Sequence, residues 1–425
     1  MEEKRDQRRQ TRRKRRTVRK SKRRFRAGQK THRFLRATVG RTLGLMLRPV
    51  AENDEIFRDL KRPFLVLGNH ISVWDPFVVN ILIPEAIHYV VSDANFRSKF
   101  MEFGLGLVGS IPKTKAMSDL QTVKNIMKVR MADEVIGIFP EGQSSWDGHS
   151  LPLYYSTAKL AKLLKIPVVT ANISGSYLAQ ARWARKRRKG PIRVRFDIAF
   201  TPEELREKTA EEIDAGIVSM LHHNEFEFNR KARFRYPGKA LAEYAEIVLF
   251  TCPQCEAMST MRSHDDRLSC SSCGYEVRYD EYGFFQPVTG DLKFDNIHDW
   301  HKWQEPLLYE RLDRYVDGKD TAAFFSEEVT VEIGYKSMPL EAYRQGSIHF
   351  FADRIDISAK GHETESLSIG GIVGLNVQNK ERLEFYHGED LFRITAADPR
   401  ACILKWDMAV RHLHDRQKPE EQPGA

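Results

Sequence analysis

Residues 68–77 read Gly-Asn-His-Ile-Ser-Val-Trp-Asp-Pro-Phe and follow an apolar run at 64–68 that is typical of a buried strand. A helix is predicted directly afterwards, at 75–83. The turn between strand and helix would bring the carboxylate of Asp75 back toward the imidazole of His70. One carboxylate oxygen would then hold one ring nitrogen and leave the other basic and facing outward, as in the His–Asp half of a hydrolase triad. We therefore predict His70 as a general base that Asp75 orients.

The spacing of this pair is not specific by itself, because the chain repeats it at His88 and Asp93. That second pair lies in an apparent strand, where residues five apart point to opposite faces. We expect these two side chains not to meet and His88 to have a structural role.

Short runs rich in Val and Ile alternate with helical patterns between 62 and 200. Strands are predicted at 64–68, 88–92, 107–112, 135–139, 168–173 and 192–200, and helices at 75–83, 118–131, 155–165 and 202–222. Ser118 with Gln121 fits a capping box, and Thr201-Pro202 fits a cap followed by proline. The alternation predicts an α/β fold, with helices flanking a sheet.

The second half of the chain is predicted to be β-rich. Residues 237–250 read as a linking helix or strand. From about 326, several short strands precede a helical pattern between 399 and 414. Strands followed by one closing helix resemble a pleckstrin-homology-like domain, which implies a binding or membrane-apposition module.

The positive charge is concentrated at the N-terminus. Residues 1–30 hold 16 Lys or Arg against three acidic residues, so they contribute +13 to the net +10 and the remaining 395 residues carry −3. Such a block is expected to be disordered when free and to bind a polyanion, either anionic lipid headgroups or nucleic acid. A solvated tail without a partner is the plain alternative.

No apolar run approaches the roughly 18 to 20 residues that span a bilayer. The basic start is also too long for a signal peptide. We expect a cytoplasmic protein. The basic tail and an amphipathic helix near 33–48 would give two weak anchors, which places the protein peripherally on the cytoplasmic face of a membrane.

Several blocks in order resemble the glycerolipid acyltransferase family, which includes lysophosphatidic acid (1-acyl-sn-glycerol-3-phosphate) acyltransferase. They are the block at 68–77, Gly-Ser-Ile-Pro-Lys at 109–113, Phe-Pro-Glu-Gly at 139–142 and an apolar block at 166–169. The resemblance covers roughly residues 60–200. The combination is specific, although each block alone is not.

The resemblance implies that His70 takes the proton of an acceptor hydroxyl, which attacks an acyl thioester carried by coenzyme A or acyl carrier protein. It implies that the following residues bind substrate: Asn69, Lys113, Phe139, Pro140, Glu141 and Gly142. A glutamate beside a phosphate suits only a hydroxyl or backbone contact, so Glu141 is expected to orient the glycerol or the loop. The implied reaction acylates a lysophospholipid, and specifically lysophosphatidic acid to phosphatidic acid, in phospholipid biosynthesis.

Two positions depart from the family pattern. Gln143-Ser144 replaces the usual Thr-Arg, and Lys113 stands where arginine is usual. Arginine grips phosphate through two parallel hydrogen bonds, whereas lysine acts as a point charge. The phosphate grip is therefore expected to be weaker, to come from Lys115 or the basic run at 182–189, or to serve a different lysolipid. For the basic run, a solvated loop is the plain alternative.

Four of the five cysteines form two Cys-x2-Cys pairs separated by 14 residues: Cys252, Cys255, Cys270 and Cys273. This spacing is typical of four thiolates that hold a structural zinc ion in a ribbon hairpin. Two disulfides, disfavoured in a reducing cytoplasm, and an iron–sulfur site are the alternatives. Cys402 lies in an apolar helical run and is expected to be a buried core thiol.

These predictions divide the chain into a basic tail at 1–36, an acyltransferase domain at 37–235, a zinc ribbon at 247–285 and a β-rich domain at 290–425. Two other functions compete: a nucleic-acid-binding zinc-ribbon protein with a cationic tail, and a catalytically inactive lipid-binding scaffold. Nucleic acid is disfavoured because the ribbon is not basic and aromatic residues are not interleaved with the basic ones. The intact His70 and Asp75 argue against the scaffold.

Overall fold

The computed structural model describes residues 29–113, 120–335 and 338–417. The expectations for the tail up to residue 28, for Lys115 and for a cap at Ser118 fall outside these ranges. A helix already begins at Gln29, so the predicted disordered tail does not extend to 36. Within the described ranges, no helix is both long and apolar enough to cross a membrane.

Eighteen strands are described, numbered in chain order. They are β1 Pro49–Glu52, β2 Leu65–Gly68, β3 Ile87–Ser92, β4 Ile111–Lys113, β5 Val135–Ile138, β6 Val168–Ser174, β7 Ile192–Phe200, β8 Met261–His264, β9 Arg267–Cys270, β10 Glu276–Tyr279, β11 Phe285–Thr289, β12 Phe325–Gly334, β13 Glu341–Phe350, β14 Arg354–Ala359, β15 Glu365–Ser368, β16 Ile372–Gln378, β17 Arg382–His387 and β18 Asp390–Ala396. The α-helices span Gln29–Leu35, Arg41–Leu47, Ile56–Asp59, Asp75–Leu82, Lys99–Leu107, Leu120–Met131, Ser156–Leu164, Ser176–Ala179, Glu204–Glu207, Ala210–Leu221, Glu225–Ala232, Ile297–Asp317 and Ile403–Gln417.

The first sheet has seven strands in the order β1-β7-β6-β2-β5-β3-β4. Its pairs are parallel except β6 with β7. Along β2, Leu65 and Leu67 join the core on one face and Val66 joins the core on the other. Helices cover both faces, which explains why this strand is apolar throughout. The predicted α/β sheet with flanking helices is confirmed.

Two predicted elements near this sheet have different bounds. The strand predicted at 107–112 begins only at Ile111, because the helix Lys99–Leu107 includes its first residue and is followed by a turn in which Gly109 has a φ of 64°. The helix predicted at 202–222 is two helices. Thr209 and Glu212 form a capping box that starts the second one.

The linking segment predicted at 237–250 as one helix or strand is mostly turns, with a short 3₁₀ helix at Ala245–Ile247. Its backbone polar groups form hydrogen bonds with a side chain instead of those of a regular helix or sheet. The Gln304 carbonyl accepts from the N–H groups of Phe250 and Thr251 at 3.0 and 3.1 Å, and its amide donates to Val248 at 2.6 Å. A buried irregular segment is stable when its polar groups are paired in this way.

Two further sheets follow. Strands β8–β11 form a four-stranded antiparallel sheet that carries the cysteines. The 21-residue helix Ile297–Asp317, which the sequence patterns do not indicate, packs against it through the buried Trp300. Strands β12–β18 form a seven-stranded antiparallel sheet that the helix Ile403–Gln417 closes. The predicted β-rich C-terminal part with one closing helix is confirmed.

Candidate active site and cysteine cluster

The turn between β2 and the helix Asp75–Leu82 holds the carboxylate of Asp75 in place. Its Oδ2 accepts from the backbone N–H groups of Ile71 and Ser72, both at 2.7 Å, and lies 3.0 Å from His70 Nδ1. Because Asp75 accepts, Nδ1 carries the hydrogen and Nε2 is left as the basic nitrogen. The His70 side chain is 19% exposed and that of Asp75 is fully buried. The geometry suits a base that is fixed at one nitrogen.

Asn69 is completely buried between β2 and β6. Its Nδ2 donates to the carbonyl of Ile173 at 2.9 Å, and its Oδ1 accepts from the N–H of Ile173 at 2.7 Å. Both polar atoms are therefore engaged with the neighbouring strand. Asn69 positions the turn that precedes His70, and the predicted contact of its side chain with a substrate stays a prediction.

Glu141 lies beneath the same turn and is buried. Its Oε1 accepts from the His70 N–H at 2.8 Å and its Oε2 accepts from the Leu151 N–H at 3.0 Å. Burial raises the pKa of Glu141 to about 8, although these two hydrogen bonds oppose the shift. Both carboxylate oxygens of the residue thus contact backbone and hold the loops around His70.

The other residues of the Phe-Pro-Glu-Gly block surround His70 and Tyr154. The ring centroid of Phe139 lies 4.7 Å from that of His70. The carbonyl of Pro140 accepts from the N–H of Tyr154 at 3.0 Å. Gly142 has a φ of 72°, and a Cβ there would lie 2.6 Å from the Tyr154 ring, so glycine is required.

Lys113, at the end of β4, approaches the same group of residues. Its Nζ lies 5.3 Å from the centroid of the Tyr154 ring, which is a cation–π distance. Tyr154 therefore connects Lys113 with the Phe-Pro-Glu-Gly block. The predicted base, its carboxylate, this block and the lysine lie at one edge of the sheet.

Part of the chain is similar to known proteins. Residues 48–174 match the protein-family model Acyltransferase. This segment is similar to the domain that the model describes, and the region at 37–235 that contains it is called the acyltransferase domain below. Over 113 residues the chain is 24% identical to the 1-acyl-sn-glycerol-3-phosphate acyltransferase of Bacillus subtilis (strain 168), an alignment that covers 26% of this chain and 56% of that protein. The chain thus spans about half the length of this curated relative.

A solved structure is also similar to part of the chain. It is the 1-acyl-sn-glycerophosphate (LPA) acyltransferase PlsC from Thermotoga maritima, with a TM-score of 0.36 and 18% sequence identity. The similarity covers 45% of this chain and 78% of that chain.

Ser176 completes the surroundings of the Asp75 carboxylate in the acyltransferase domain. Its Oγ donates to Asp75 Oδ1 at 2.7 Å, and both side chains are fully buried. The two residues are 101 positions apart in the sequence. No local pattern points to Ser176, so sequence analysis misses it.

The helix Ile297–Asp317 contacts the loop that follows the Phe-Pro-Glu-Gly block. The N–H of Ser145 donates to the carbonyl of His70 at 2.8 Å, and the Ser145 hydroxyl donates to Asp147 Oδ1 at 3.0 Å. Asp147 Oδ2 lies 2.8 Å from His298 Nδ1 and 3.3 Å from His301 Nδ1. Burial alone would raise the pKa of Asp147, but the two histidines hold it well below its usual value.

The basic run at 182–189 divides into structural and exposed residues. Arg182 donates to the carbonyls of Ser144, Val377 and Asn379 at 2.8, 2.5 and 2.9 Å, and it stacks 3.9 Å above Trp146. Arg188 is also buried and donates to backbone carbonyls. These two arginines connect segments of the fold and are not available as phosphate ligands.

The C-terminal sheet also contacts the acyltransferase domain through a buried ion pair. Arg97 Nη1 lies 2.8 Å from each carboxylate oxygen of Glu384, and Arg393 Nε lies 2.6 Å from Glu384 Oε1. The Glu384 side chain is 1% exposed. Together with Arg182, this pair places the C-terminal sheet against the edge that carries His70.

The four cysteines of the small sheet come together. Their Sγ atoms lie within 4.8 Å of one another, with Cys252 to Cys273 at 3.7 Å and Cys255 to Cys270 at 3.8 Å. Four thiolates at about 2.3 Å from a tetrahedral zinc ion are about 3.8 Å apart. The separations exceed the roughly 2.05 Å of a disulfide, and all four thiols are free. The cluster therefore fits a metal held by four thiolates.

Cys402 is apart from this cluster. It is buried, its Sγ donates to the Ile247 carbonyl at 3.1 Å, and burial raises its pKa to about 11. These contacts are those of an inert core thiol.

Proposed function

We propose that this protein transfers a fatty acyl group from an acyl thioester, carried by coenzyme A or acyl carrier protein, to the hydroxyl of a lysophospholipid. The specific reaction we propose is lysophosphatidic acid to phosphatidic acid. The observation that carries the proposal is the His70 ring, held at Nδ1 by a buried carboxylate within an acyltransferase-family domain.

In the proposed mechanism, His70 Nε2 removes the proton of the acceptor hydroxyl as its oxygen attacks the thioester carbonyl carbon. The carbon–sulfur bond then breaks, and the departing thiolate takes the proton back from His70. Asp75, which holds His70 Nδ1, stabilises the transient imidazolium. A positioned base of this kind typically contributes about 10²–10⁴ in rate.

The proposed phosphate contact rests on Lys113. Its ammonium group lies over Tyr154, close to the Phe-Pro-Glu-Gly block, and supplies a single positive charge. Glu141 does not pair with this lysine in the described structure, because its two oxygens accept from the backbone N–H groups of His70 and Leu151. A lysine without the usual arginine is expected to discriminate weakly among phosphorylated acceptors.

A lysolipid-by-donor screen tests this proposal. The purified protein is incubated with labelled acyl-CoA or acyl-loaded carrier protein and a series of lysophospholipids, and the acylated product is measured. His70→Ala serves as the blank, and His362→Ala, at an exposed position in the turn before β15, is the matched control. We expect product with wild type and control and a loss of at least about 10²-fold with His70→Ala. Full activity of His70→Ala would show the mechanism to be wrong.

We further propose that the cysteine cluster holds one structural zinc ion. All four coordination positions would be filled by protein, so the ion would stabilise the small sheet and take no part in catalysis. The matched separations of the sulfur atoms support zinc.

We also propose that the protein lies peripherally on the cytoplasmic face of a membrane. Leu45, Phe100 and Phe103 are 71%, 82% and 67% exposed on the helices Arg41–Leu47 and Lys99–Leu107. Such side chains insert readily into a lipid interface. Flotation with phosphatidylglycerol vesicles should weaken in Leu45→Glu/Phe100→Glu but not in the equally exposed Met131→Glu. Equal flotation of all these proteins would exclude this surface.

A further inference from the structure

Three cationic side chains surround the ring of Tyr244, between the acyltransferase domain and the C-terminal sheet. The Cζ atoms of Arg185 and Arg400 lie 4.1 and 4.6 Å from the ring centroid, and Lys380 Nζ lies 5.6 Å from it. Tyr244 itself has a φ of 75°, a conformation that a non-glycine residue adopts only when its surroundings impose it. Segments far apart in the sequence thus build one cationic site on an aromatic platform.

Two of the three cations at this site have no ion-pair partner in the part of the chain that the structure describes. Arg400 is neutralised, because it pairs with Glu243 at 2.7 Å and with Glu246. Across the described ranges, no ion pair joins Arg185 or Lys380 to a carboxylate. Lys380 Nζ donates only to a neutral group, the carbonyl of Trp183 at 3.1 Å. Arg185 and Lys380 are therefore held close together, and neither forms a direct ion pair within the described ranges.

Holding Lys380 in this position is unfavourable. Burial and then the nearby charge of Arg185 lower the pKa of Lys380 to about 8, and Glu381 opposes the shift only in part. A half-buried ammonium group beside a second cation is stabilised when an anion binds between them. Arg182 and Arg188 of the same run cannot rearrange to help, because both are committed to backbone carbonyls.

The site is continuous with the edge that carries His70. The segment that holds Arg185 follows Gln180, whose carbonyl accepts from the Ser72 hydroxyl at 3.1 Å and whose side-chain oxygen accepts from Trp74 Nε1 at 2.7 Å. The segment that holds Arg185 therefore connects the Tyr244 site with the turn that follows His70, and none of the residues around Tyr244 contacts His70 or Asp75 in the described structure.

We propose that Arg185 and Lys380, above Tyr244, form a binding site for a phosphate-type oxyanion, either the phosphate of an anionic lipid or free inorganic phosphate. Arginine would contribute two parallel hydrogen bonds and lysine a point charge. Because the two cations come from the acyltransferase domain and the C-terminal sheet, the bound anion stabilises their contact. This site goes beyond the proposed acyl transfer and does not depend on it.

The full chain is tested for phosphate binding by thermal unfolding, with phosphate replacing chloride at constant ionic strength. We compare wild type with Arg185→Gln/Lys380→Gln and with a matched control, Lys124→Gln/Lys360→Gln, at two exposed positions elsewhere. Arg185→Lys/Lys380→Arg keeps both charges and shows whether the site tolerates substitution. His70→Ala should bind like wild type, which separates this test from that of the proposed activity.

A second arm measures binding to vesicles of phosphatidylcholine with and without phosphatidic acid. Arg185→Gln/Lys380→Gln should bind inorganic phosphate, or the phosphatidic acid vesicles, at least about tenfold more weakly than the control Lys124→Gln/Lys360→Gln. A loss confined to phosphatidic acid vesicles identifies a lipid phosphate, and a loss in the inorganic phosphate arm identifies the free ion. If neither ligand binds, or the site variant and the control pair bind equally, the proposal is overturned.

Discussion

Removing the hydroxyl of Ser176 should destabilise the protein measurably. In the described structure this hydroxyl is the donor to Asp75 Oδ1, at 2.7 Å, whereas Oδ2 has backbone donors as well as His70. Ser176→Ala would leave one oxygen of a buried carboxylate without a partner. An unsatisfied buried acceptor costs about 1 to 3 kcal/mol, and a charged one lies toward the upper end. We expect the free energy of unfolding to fall by about 2 to 3 kcal/mol.

A surface serine provides the matched control for this experiment. Ser366 Oγ donates to Asp356 Oδ1 at 2.6 Å, but Ser366 is exposed and water can replace the bond. Ser366→Ala should cost less than about 0.5 kcal/mol. Urea unfolding of both variants measures the difference, and acyl transfer should also fall in Ser176→Ala because the orientation of His70 is less fixed. Equal stabilities of the two variants would refute the dependence of Asp75 on this hydroxyl.

Three further predictions concern pH, metal and the C-terminal contact. Between pH 4.5 and about 8 the folded chain keeps a proton on Glu141 that the unfolded chain releases, so the free energy of unfolding should fall as pH rises through this window. Glu141→Gln should flatten that part of the urea-unfolding profile, and an unchanged slope would contradict the raised pKa. Cys255→Ser should reduce the zinc content, measured by mass spectrometry, from about one ion per chain toward none. The control Cys402→Ser should keep its zinc. Full zinc content in Cys255→Ser, or no zinc in the wild-type protein, would exclude this site. Arg182 reaches three separate carbonyls with three nitrogens, which the single nitrogen of a lysine cannot do. Arg182→Lys should therefore lower the free energy of unfolding by about 1 to 3 kcal/mol and reduce acyl transfer. Wild-type values in calorimetry and in the transfer assay would show that the contact is dispensable.

Local features of the acyltransferase domain follow well from the sequence. The strand before residue 69 is apolar throughout, and His70 and Asp75 are only five positions apart, so a turn between strand and helix suffices to bring them together. The four cysteines likewise lie in two short local pairs. Where a contact joins residues that are close in the sequence, the local sequence pattern is enough to predict it.

Contacts between distant segments do not follow from the sequence. Ser176 meets Asp75 only because β6 pairs with β2. Asn69 looks like a substrate ligand in a motif, but its burial against Ile173 appears only when the sheet is assembled. The helix Ile297–Asp317 has Pro306 in its interior and charged residues throughout, which obscures its apolar stripe. Its buried Gln304 also explains why the linking segment can remain irregular.

The buried bridge from Arg97 through Glu384 to Arg393 bears on how modular the protein is. Removing the C-terminal sheet would leave Arg97 without the carboxylate of Glu384. It would also expose to water the core that continues from the small sheet into strands β12–β18. An unpaired charge at a formerly buried position is strongly unfavourable. The region around His70 is thus not expected to fold on its own. The three sheets should unfold together as a single cooperative unit, with one calorimetric transition.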